Sequence, residues 1–312
     1  MISFKEIQAS HNRISPFIHR TDIMTSRTLN TLSCAELYFK CENFQRTGSF
    51  KIRGATNAVL QLTKRELSRG IITASSGNHG AALSMAVSNV GSTTKVVMPK
   101  NTPKVKVLNV ERNGGEIIWC DSNQMAREQV LKSEIKKTGS VLVHPYNDER
   151  IVAGQATVAK EFLEDIPELD AIVSPVSGGG LLAGALCSVD HMNSKIKVYG
   201  SEPEEADDAY RSLISGEIQS NKTTNTICDG LRAQIGTITF PIIKNKVKLI
   251  VRVSEKDIIM ATRMIWERLK IIVEPSCAIT LAAVLNNKDL FLNKKIGLIL
   301  SGGNVDLNQL IW

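Results

Sequence analysis

The sequence contains little that would indicate a membrane protein or a disulfide-stabilised protein. Its most apolar stretches, residues 279–285 and 296–300, are too short to cross a bilayer. The first residues do not follow the basic-then-apolar pattern of a secretory signal, which predicts a cytoplasmic protein. The six cysteines are far apart, with no CxxC pair and no Cys/His cluster of zinc spacing. This spacing indicates reduced, structural thiols.

Aromatic residues and clustered positive charges are also scarce. Phe, Trp and Tyr make up 5% of the 312 residues, and the net charge of +7 comes from 38 Lys and Arg against 31 Asp and Glu. The basic residues are scattered singly and in pairs, whereas a nucleic-acid surface needs a basic stripe. We therefore expect no nucleic-acid partner, and we interpret the positive charge as an attraction for small anionic substrates.

Strand-like and helix-like segments alternate along the chain, without an internal repeat or a flexible linker. The predicted strands are 71–74, 95–98, 116–120, 141–144, 171–176, 197–201, 247–253 and 296–300. The predicted helices are 81–89, 125–137, 181–189 and 255–270. Short apolar strands that alternate with helices predict an α/β fold with mainly parallel sheets, covered by helices on both faces.

Two glycine-rich turns each join a predicted strand to a predicted helix. The first, Ser177-Gly178-Gly179-Gly180, is neither a Walker loop nor a GxGxxG motif. Three successive glycines let backbone N–H groups and the positive end of a helix dipole approach an anion, typically a phosphate. The alternative is a tight strand-to-helix turn without a ligand.

The second turn, Ser75-Ser76-Gly77-Asn78-His79-Gly80, adds hydroxyl, amide and imidazole groups to the backbone donors. Such a loop can hold a carboxylate and place a proton donor beside it. The alternative is a polar loop that caps a helix. By itself His79 is better explained as a hydrogen-bonding turn residue.

Lys51 and Ser301 are two further candidate site residues. Lys51 lies between Phe50 and Ile52, which can remove water from an amine and favour a Schiff base. Ser301, in Leu300-Ser301-Gly302-Gly303-Asn304, directly follows a late strand, where active-site groups of open α/β sheets gather. Taken singly, Lys51 is better explained as an ordinary solvated lysine, and Ser301 is equally compatible with an ordinary turn.

Together these motifs resemble the fold-type-II pyridoxal-phosphate enzymes, in the branch of serine racemase and biodegradative threonine/serine dehydratase. The most specific segments are 42–55 and 300–306, and the resemblance runs from about residue 4 to the end. It implies two open, twisted, mostly parallel sheets flanked by helices. A large domain, residues 1–69 and 146–312, would bind the cofactor, and residues 70–145 would form an inserted small domain. The resemblance includes no added regulatory domain, which implies a catabolic or racemase role.

The resemblance also implies roles for individual residues. Lys51 would form the Schiff base and take the α-proton on one face, and Ser76 would be the acid/base on the other. A neutral Ser301 at the pyridine nitrogen would favour elimination over a long-lived carbanion. The implied cofactor contacts are Lys51, Phe50, Asn78, Ser177, Gly178, Gly179, Gly180, Leu181 and Ser301. The implied substrate contacts are Ser75, Ser76, Gly77, Asn78 and His79.

The acidic segment 202–208 resembles the divalent-ion loop of the same family. The ligands would be Glu202, the carbonyl of Ala206 and Asp208, and hard oxygen donors suit Mg²⁺, Ca²⁺ or Mn²⁺. The alternative is a solvated acidic loop.

Three positions depart from the family pattern. Ser177 replaces a frequent glycine, which leaves backbone binding intact. Ala81 and Asn113 replace a glutamine and a tyrosine of the ATP site in mammalian racemases, which puts activation by ATP in doubt.

The implied activity is removal of water from L-serine or L-threonine, giving a 2-oxo acid and ammonia, or racemisation of serine, by a homodimer. The sequence does not rank these two reactions. One alternative is a threo-3-hydroxyaspartate ammonia-lyase, which needs a cation for the second carboxylate of its substrate. An alternative of another class is a non-catalytic protein that binds the cofactor or a metabolite, although the intact set of Lys51, Ser76 and Ser301 argues against it.

Overall fold

The computed structural model describes residues 2–308, and these residues form two sheets flanked by helices. Met1 and residues 309–312, which belong to the predicted large domain, lie outside this description. The strands are β1 Ile23–Thr25, β2 Glu36–Cys41, β3 Ile71–Ala74, β4 Thr94–Pro99, β5 Gly115–Cys120, β6 Val141–Leu142, β7 Ala171–Pro175, β8 Lys197–Pro203, β9 Leu249–Val253 and β10 Lys295–Leu300.

Helices alternate with these strands along the chain. They are α1 Phe4–Ile14, α2 Arg27–Ser33, α3 Lys51–Val59, α4 Lys64–Leu67, α5 Asn78–Ser88, α6 Lys104–Arg112, α7 Gln124–Thr138, α8 Glu149–Asp165, α9 Gly180–Met192, α10 Asp208–Ser215, α11 Thr239–Lys246, α12 Glu255–Leu269, α13 Pro275–Asn286 and α14 Lys288–Phe291. None of the helices within the described residues is both long and apolar enough to span a membrane.

The larger sheet has the strand order β1-β2-β10-β7-β8-β9, and the smaller one β5-β4-β3-β6. Among the strands formed by residues 2–308, only the pairing of β1 with β2 is antiparallel. The predicted α/β class with mostly parallel sheets is therefore confirmed. All four strands of the smaller sheet come from one stretch of chain between β2 and β7.

The core of the larger sheet lies on both of its faces. Every residue of β7 is buried, and its side chains alternate between two apolar clusters. Ile172 packs with Leu182 of α9 on one face, whereas Val173 packs with Ile279 of α13 on the other. This is the expected geometry of a parallel strand covered by helices on both sides.

A fully buried ion network anchors helix α3, which begins at Lys51. The Arg53 guanidinium lies 2.8 Å from Glu42 and 2.7 Å from Glu161, and Lys40 of β2 lies 3.0 Å from Glu161. Burial alone would raise the pKa of Glu161, but Arg53 and Lys40 hold this pKa at about 2. Ionised and paired, these side chains tie α3, β2 and α8 together and fix the start of α3.

Candidate active site

Three of the predicted site loops begin where parallel strands end. The loop at Ser75 follows β3 of the smaller sheet, and the loops at Ser177 and Ser301 follow β7 and β10 of the larger one. They line one cleft with an empty volume of about 1250 Å³, its open side included. The predicted residues along this cleft are Phe50, Lys51, Ser75, Ser76, Gly77, Asn78, His79, Ser177, Gly178, Gly179, Gly180, Leu181 and Ser301. Ligands of open α/β proteins bind at this end of the strands.

Lys51, at the start of α3, brings an amine of lowered basicity into the cleft. Its Nζ donates a hydrogen bond to the carbonyl of Pro145 at 3.0 Å and lies 5.2 Å from the centre of the Phe50 ring. Burial lowers the pKa of Lys51 to about 8, and the charge of Glu274 opposes this shift. A larger share of neutral amine makes this lysine a better nucleophile and a better proton acceptor than an exposed one.

The segment before Lys51 is joined to the loop after β10. The backbone N–H of Phe50 donates to the carbonyl of Ser301 at 3.1 Å, and Ser49 pairs with Gly302 as an isolated bridge. Lys51 and Ser301 therefore occupy the same cleft, although 250 residues separate them in the sequence.

The glycine loop leaves backbone N–H groups available at the start of α9. Gly179 has φ +87°, and helix α9 begins without a side-chain cap. A Cβ atom at Gly178 would lie 2.3 Å from the ring of Tyr146, so only glycine fits there. The Ser177 hydroxyl is already engaged, because it accepts from the N–H of Ala233 and donates to its carbonyl. The loop thus offers an anion mainly its backbone.

The second turn begins helix α5 and combines capping with exposure to the cleft. The Ser75 hydroxyl accepts from the N–H groups of Gly77 and Gly80, both at 3.1 Å, and so caps the helix. Ser76 is half-buried along the cleft. Burial and the charge of Lys51 lower the pKa of His79 well below its ordinary value, so this imidazole is neutral at pH 7.

His144 is a cleft residue that the sequence predicted only as the end of a strand. Its Nδ1 accepts from the N–H of Asn147 at 2.9 Å. Burial and the charge of Lys51 lower the pKa of His144 to about 4, so the ring is neutral and carries its proton on Nε2. His144 is a hydrogen-bond donor rather than a cation.

A buried polar cluster beside Asn78 was also missed. Lys106 of α6 donates to Glu274 at 3.0 Å and lies 2.7 Å from Asp229, and Glu274 accepts from Asn78 at 2.7 Å. Burial alone would lower the pKa of Lys106, but the two carboxylates raise it above its ordinary value. No local motif marks these residues, because Lys106 lies in a lysine-rich segment and Glu274 lies far along the chain.

The predicted ion loop brings two buried carboxylates close together. Glu202 is the second-to-last residue of strand β8 and accepts from the N–H groups of Ala209 and Tyr210. Asp208 accepts from the N–H of Ile235 at 2.7 Å through Oδ2, while its buried Oδ1 has no partner within the described residues. Burial raises the pKa of Asp208 to about 6, and burial together with Asp208 raises that of Glu202. Within residues 2–308, no three His, Cys, Asp or Glu side chains form a metal cluster.

A cleft that brings together a glycine loop with available backbone N–H groups and a lysine of lowered pKa has the features of a pyridoxal-phosphate enzyme, and the two mostly parallel sheets are those of fold type II. Comparison with known proteins agrees: the model of the family "Pyridoxal-phosphate dependent enzyme" matches residues 14–302, and the chain belongs to this family.

Individual relatives are similar over nearly the whole chain. Serine racemase from Arabidopsis thaliana is 48% identical over 97% of this chain and 93% of its own. The β-hydroxyaspartate dehydratase of Paracoccus denitrificans is 43% identical over 99% and 98%. The structure of maize serine racemase superposes with a TM-score of 0.95 at 42% identity, over 98% of this chain and 94% of that one.

Proposed function

We propose that this protein binds pyridoxal phosphate at Lys51 and acts on L-serine or L-threonine, by racemisation and by dehydration to a 2-oxo acid and ammonia. The observation that carries the proposal is that Lys51, with a pKa of about 8, and Ser76 line one cleft with the glycine loop. The similarity to serine racemases over nearly the whole chain supports the same activity.

The residues present fit this cofactor. The uncapped start of α9 suits the phosphate, and the backbone of residues 177–181 would hold it. Lys51 would hold the cofactor covalently, with Phe50 beside it. Asn78 would hydrogen-bond the phenolic oxygen of the cofactor, and Ser301 would hydrogen-bond its pyridine nitrogen. When bound, pyridoxal phosphate withdraws electrons from the Cα of an attached amino acid and makes the α-proton acidic.

The protein's own groups would then move protons and hold the substrate. The N–H groups at the start of α5, residues 75–79, would bind the substrate carboxylate. The neutral amine of Lys51 would take the α-proton on one face, and the Ser76 hydroxyl would take or return it on the other. Loss of water from the L-enantiomer needs only Lys51, whereas racemisation needs both groups. The Nε2–H of His144 is available to the departing hydroxyl group.

A second candidate activity is removal of water from threo-3-hydroxyaspartate. Arg127, near the start of α7, lines the cleft and is a suitable cation for the second carboxylate of this substrate. The similarity to the Paracoccus β-hydroxyaspartate dehydratase supports this candidate.

We further propose that Glu202, the carbonyl of Ala206 and Asp208 bind a divalent cation, Mg²⁺ in the first place and otherwise Ca²⁺ or Mn²⁺. The support is the buried Oδ1 of Asp208, which lacks a partner, and the raised pKa values of the two carboxylates. A cation would let both carboxylates ionise together, and waters would complete its coordination.

The experiment that tests the activity is incubation with L-serine, L-threonine and L-threo-3-hydroxyaspartate in parallel. The 2-oxo acid and ammonia report dehydration, and chiral chromatography of the remaining amino acid reports racemisation. The first function requires turnover of L-serine or L-threonine, whereas turnover of 3-hydroxyaspartate alone would support the second. No product from any of the three would favour a non-catalytic binding protein.

The two-domain division at residues 70 and 145, the homodimer and the cytoplasmic location are further parts of the proposal. The smaller sheet lies wholly within residues 71–142, which supports the division. Sedimentation equilibrium tests the dimer, and cell fractionation tests the location.

A further inference from the structure

We infer that Glu274 and Asn304 are positioning residues that fix the side-chain amide of Asn78 so that it offers the cleft a hydrogen-bond donor. This inference rests on the proposed function, in which Asn78 contacts the phenolic oxygen of the cofactor.

The hydrogen bonds of the Asn78 amide are nearly all committed. One N–H of Nδ2 donates to Glu274 Oε1 at 2.7 Å, and Oδ1 accepts from Asn304 Nδ2 at 2.9 Å. A neutral amide has two N–H donors and one carbonyl oxygen. Among the described residues, the second N–H is therefore the hydrogen-bond donor that Asn78 has left for a ligand, and Asn78 lines the cleft.

Glu274 accepts a hydrogen bond through each of its two oxygens, one from Asn78 and one from Lys106. Its side chain is 3% exposed, and its other oxygen accepts from Lys106 Nζ at 3.0 Å. Burial raises the pKa of Glu274, while Lys106 and the bond from Asn78 oppose that rise. As the ion-pair partner of Lys106, the Glu274 carboxylate acts as an acceptor, so it faces the nitrogen of Asn78 and not its oxygen.

Asn304 is held in one orientation as well. Its Nδ2 donates to the carbonyl of Thr47 at 2.8 Å, in addition to Asn78. Its Oδ1 accepts from Asn109 Nδ2 at 3.4 Å. Because a backbone carbonyl only accepts, Asn304 must direct its Nδ2 toward Thr47. The same Nδ2 faces Asn78, so the atom of Asn78 that contacts it must be the acceptor Oδ1.

Rotating the Asn78 amide by half a turn would create two repulsive contacts. Its oxygen would lie against the Glu274 carboxylate, and its nitrogen against the nitrogen of Asn304. The two neighbours therefore select one orientation, and a group bound at the remaining N–H must be an acceptor, such as the ionised phenolic oxygen of pyridoxal phosphate.

The test is the affinity of the apoprotein for pyridoxal phosphate, with the visible spectrum of the bound cofactor as a second readout. Glu274→Gln cannot serve Lys106 and Asn78 together, because only one of its two atoms accepts. Asn304→Ala removes the other contact and leaves Lys106 untouched, so it keeps the test available if Glu274→Gln does not fold. We expect each variant to weaken cofactor binding about tenfold and to shift the visible band and its pH dependence.

Asp229→Asn is the matched control, because Asp229 is the other carboxylate on Lys106 and, among the described residues, makes no hydrogen bond or ion pair with Asn78. We expect it to weaken cofactor binding less than about threefold and to leave the visible band in place. An equal effect of Asp229→Asn and Glu274→Gln would show that Glu274 only anchors Lys106, and would overturn the inference.

A double-mutant cycle with Asn78→Ala completes the test. If Glu274 acts through Asn78, Glu274→Gln weakens binding less than about twofold further once Asn78 is alanine. A full tenfold loss in both backgrounds would overturn the inference. Wild-type protein that binds no pyridoxal phosphate overturns the proposed function as well, whereas tight binding by wild type and both variants overturns only this inference.

Discussion

Replacing Asp208 with asparagine should stabilise the metal-free protein at neutral pH. Burial raises the pKa of Asp208 from its ordinary 3.8 to about 6 in the folded protein. A carboxyl whose pKa is raised on folding contributes stability at pH values below its ordinary pKa, and this contribution is lost as the pH rises through the folded-state pKa. The full difference corresponds to about 3 kcal/mol, reached between pH values well below 3.8 and pH 7.5.

Asp208→Asn removes this loss and keeps an oxygen for the N–H of Ile235. In the presence of a chelator, the variant should therefore be up to about 3 kcal/mol more stable than wild type at pH 7.5, and about equal to it at pH 4. Urea unfolding followed by circular dichroism at both pH values measures this difference. Carboxyls with a lowered pKa, such as Glu161, make both proteins more stable as the pH rises. Because this contribution is the same in wild type and variant, it cancels in the difference between them.

Magnesium should reverse this order of stability and favour wild type over Asp208→Asn. A cation that binds only the folded state stabilises it in proportion to the logarithm of its concentration above Kd. Mg²⁺ should therefore stabilise wild type at pH 7.5, more weakly at pH 5, and leave Asp208→Asn unchanged. If the variant with chelator is no more stable than wild type, and Mg²⁺ changes neither protein, both the raised pKa and the ion site are wrong.

Three further predictions concern the buried network, the lysine and the cleft cation. Arg53→Ala leaves Glu42 and Glu161 without their main partner and should cost about 3–5 kcal/mol in urea unfolding, and a cost below about 1 kcal/mol would contradict the account. Purified wild type should be yellow, and borohydride should attach the cofactor to Lys51 in a peptide map, whereas attachment at another lysine would refute the assignment. Arg127→Ala should lower kcat/KM for 3-hydroxyaspartate about tenfold or more and change that for L-serine little, and equal losses would remove Arg127 as a second-carboxylate contact.

The parts of the site that sequence predicted best are local patterns. A glycine turn between an apolar strand and a helix is determined by neighbouring residues, and the loops at Ser75 and Ser177 do lie at the ends of β3 and β7. The strands of both sheets that follow residue 70 were predicted for the same reason.

What was missed depends on contacts that are distant in sequence. Strand β2 was not predicted, because it contains the charged residue Lys40, which is unusual in a buried strand. The carboxylate that pairs with Lys40 belongs to Glu161, 121 residues away in the sequence. Glu274 meets Asn78 across 196 residues, and Lys106 meets Glu274 across 168. Only the folded chain brings these side chains together, so no window of sequence could reveal them.

The central claim is that Lys51 and Ser76 exchange protons on opposite faces of the substrate, and Ser76→Ala tests it most directly. Initial rates of pyruvate formation from L-serine and from D-serine, with chiral chromatography of the remaining serine, should be compared with wild type. Removing one general acid/base should lower racemisation and pyruvate formation from D-serine by at least about a hundredfold, while L-serine dehydration stays within about tenfold. Ser75→Ala, which loses the cap of α5, is the control for a disturbed loop and should affect both enantiomers alike. Equal losses for both enantiomers in Ser76→Ala would mean that Ser76 only positions the carboxylate, and would contradict the two-group account.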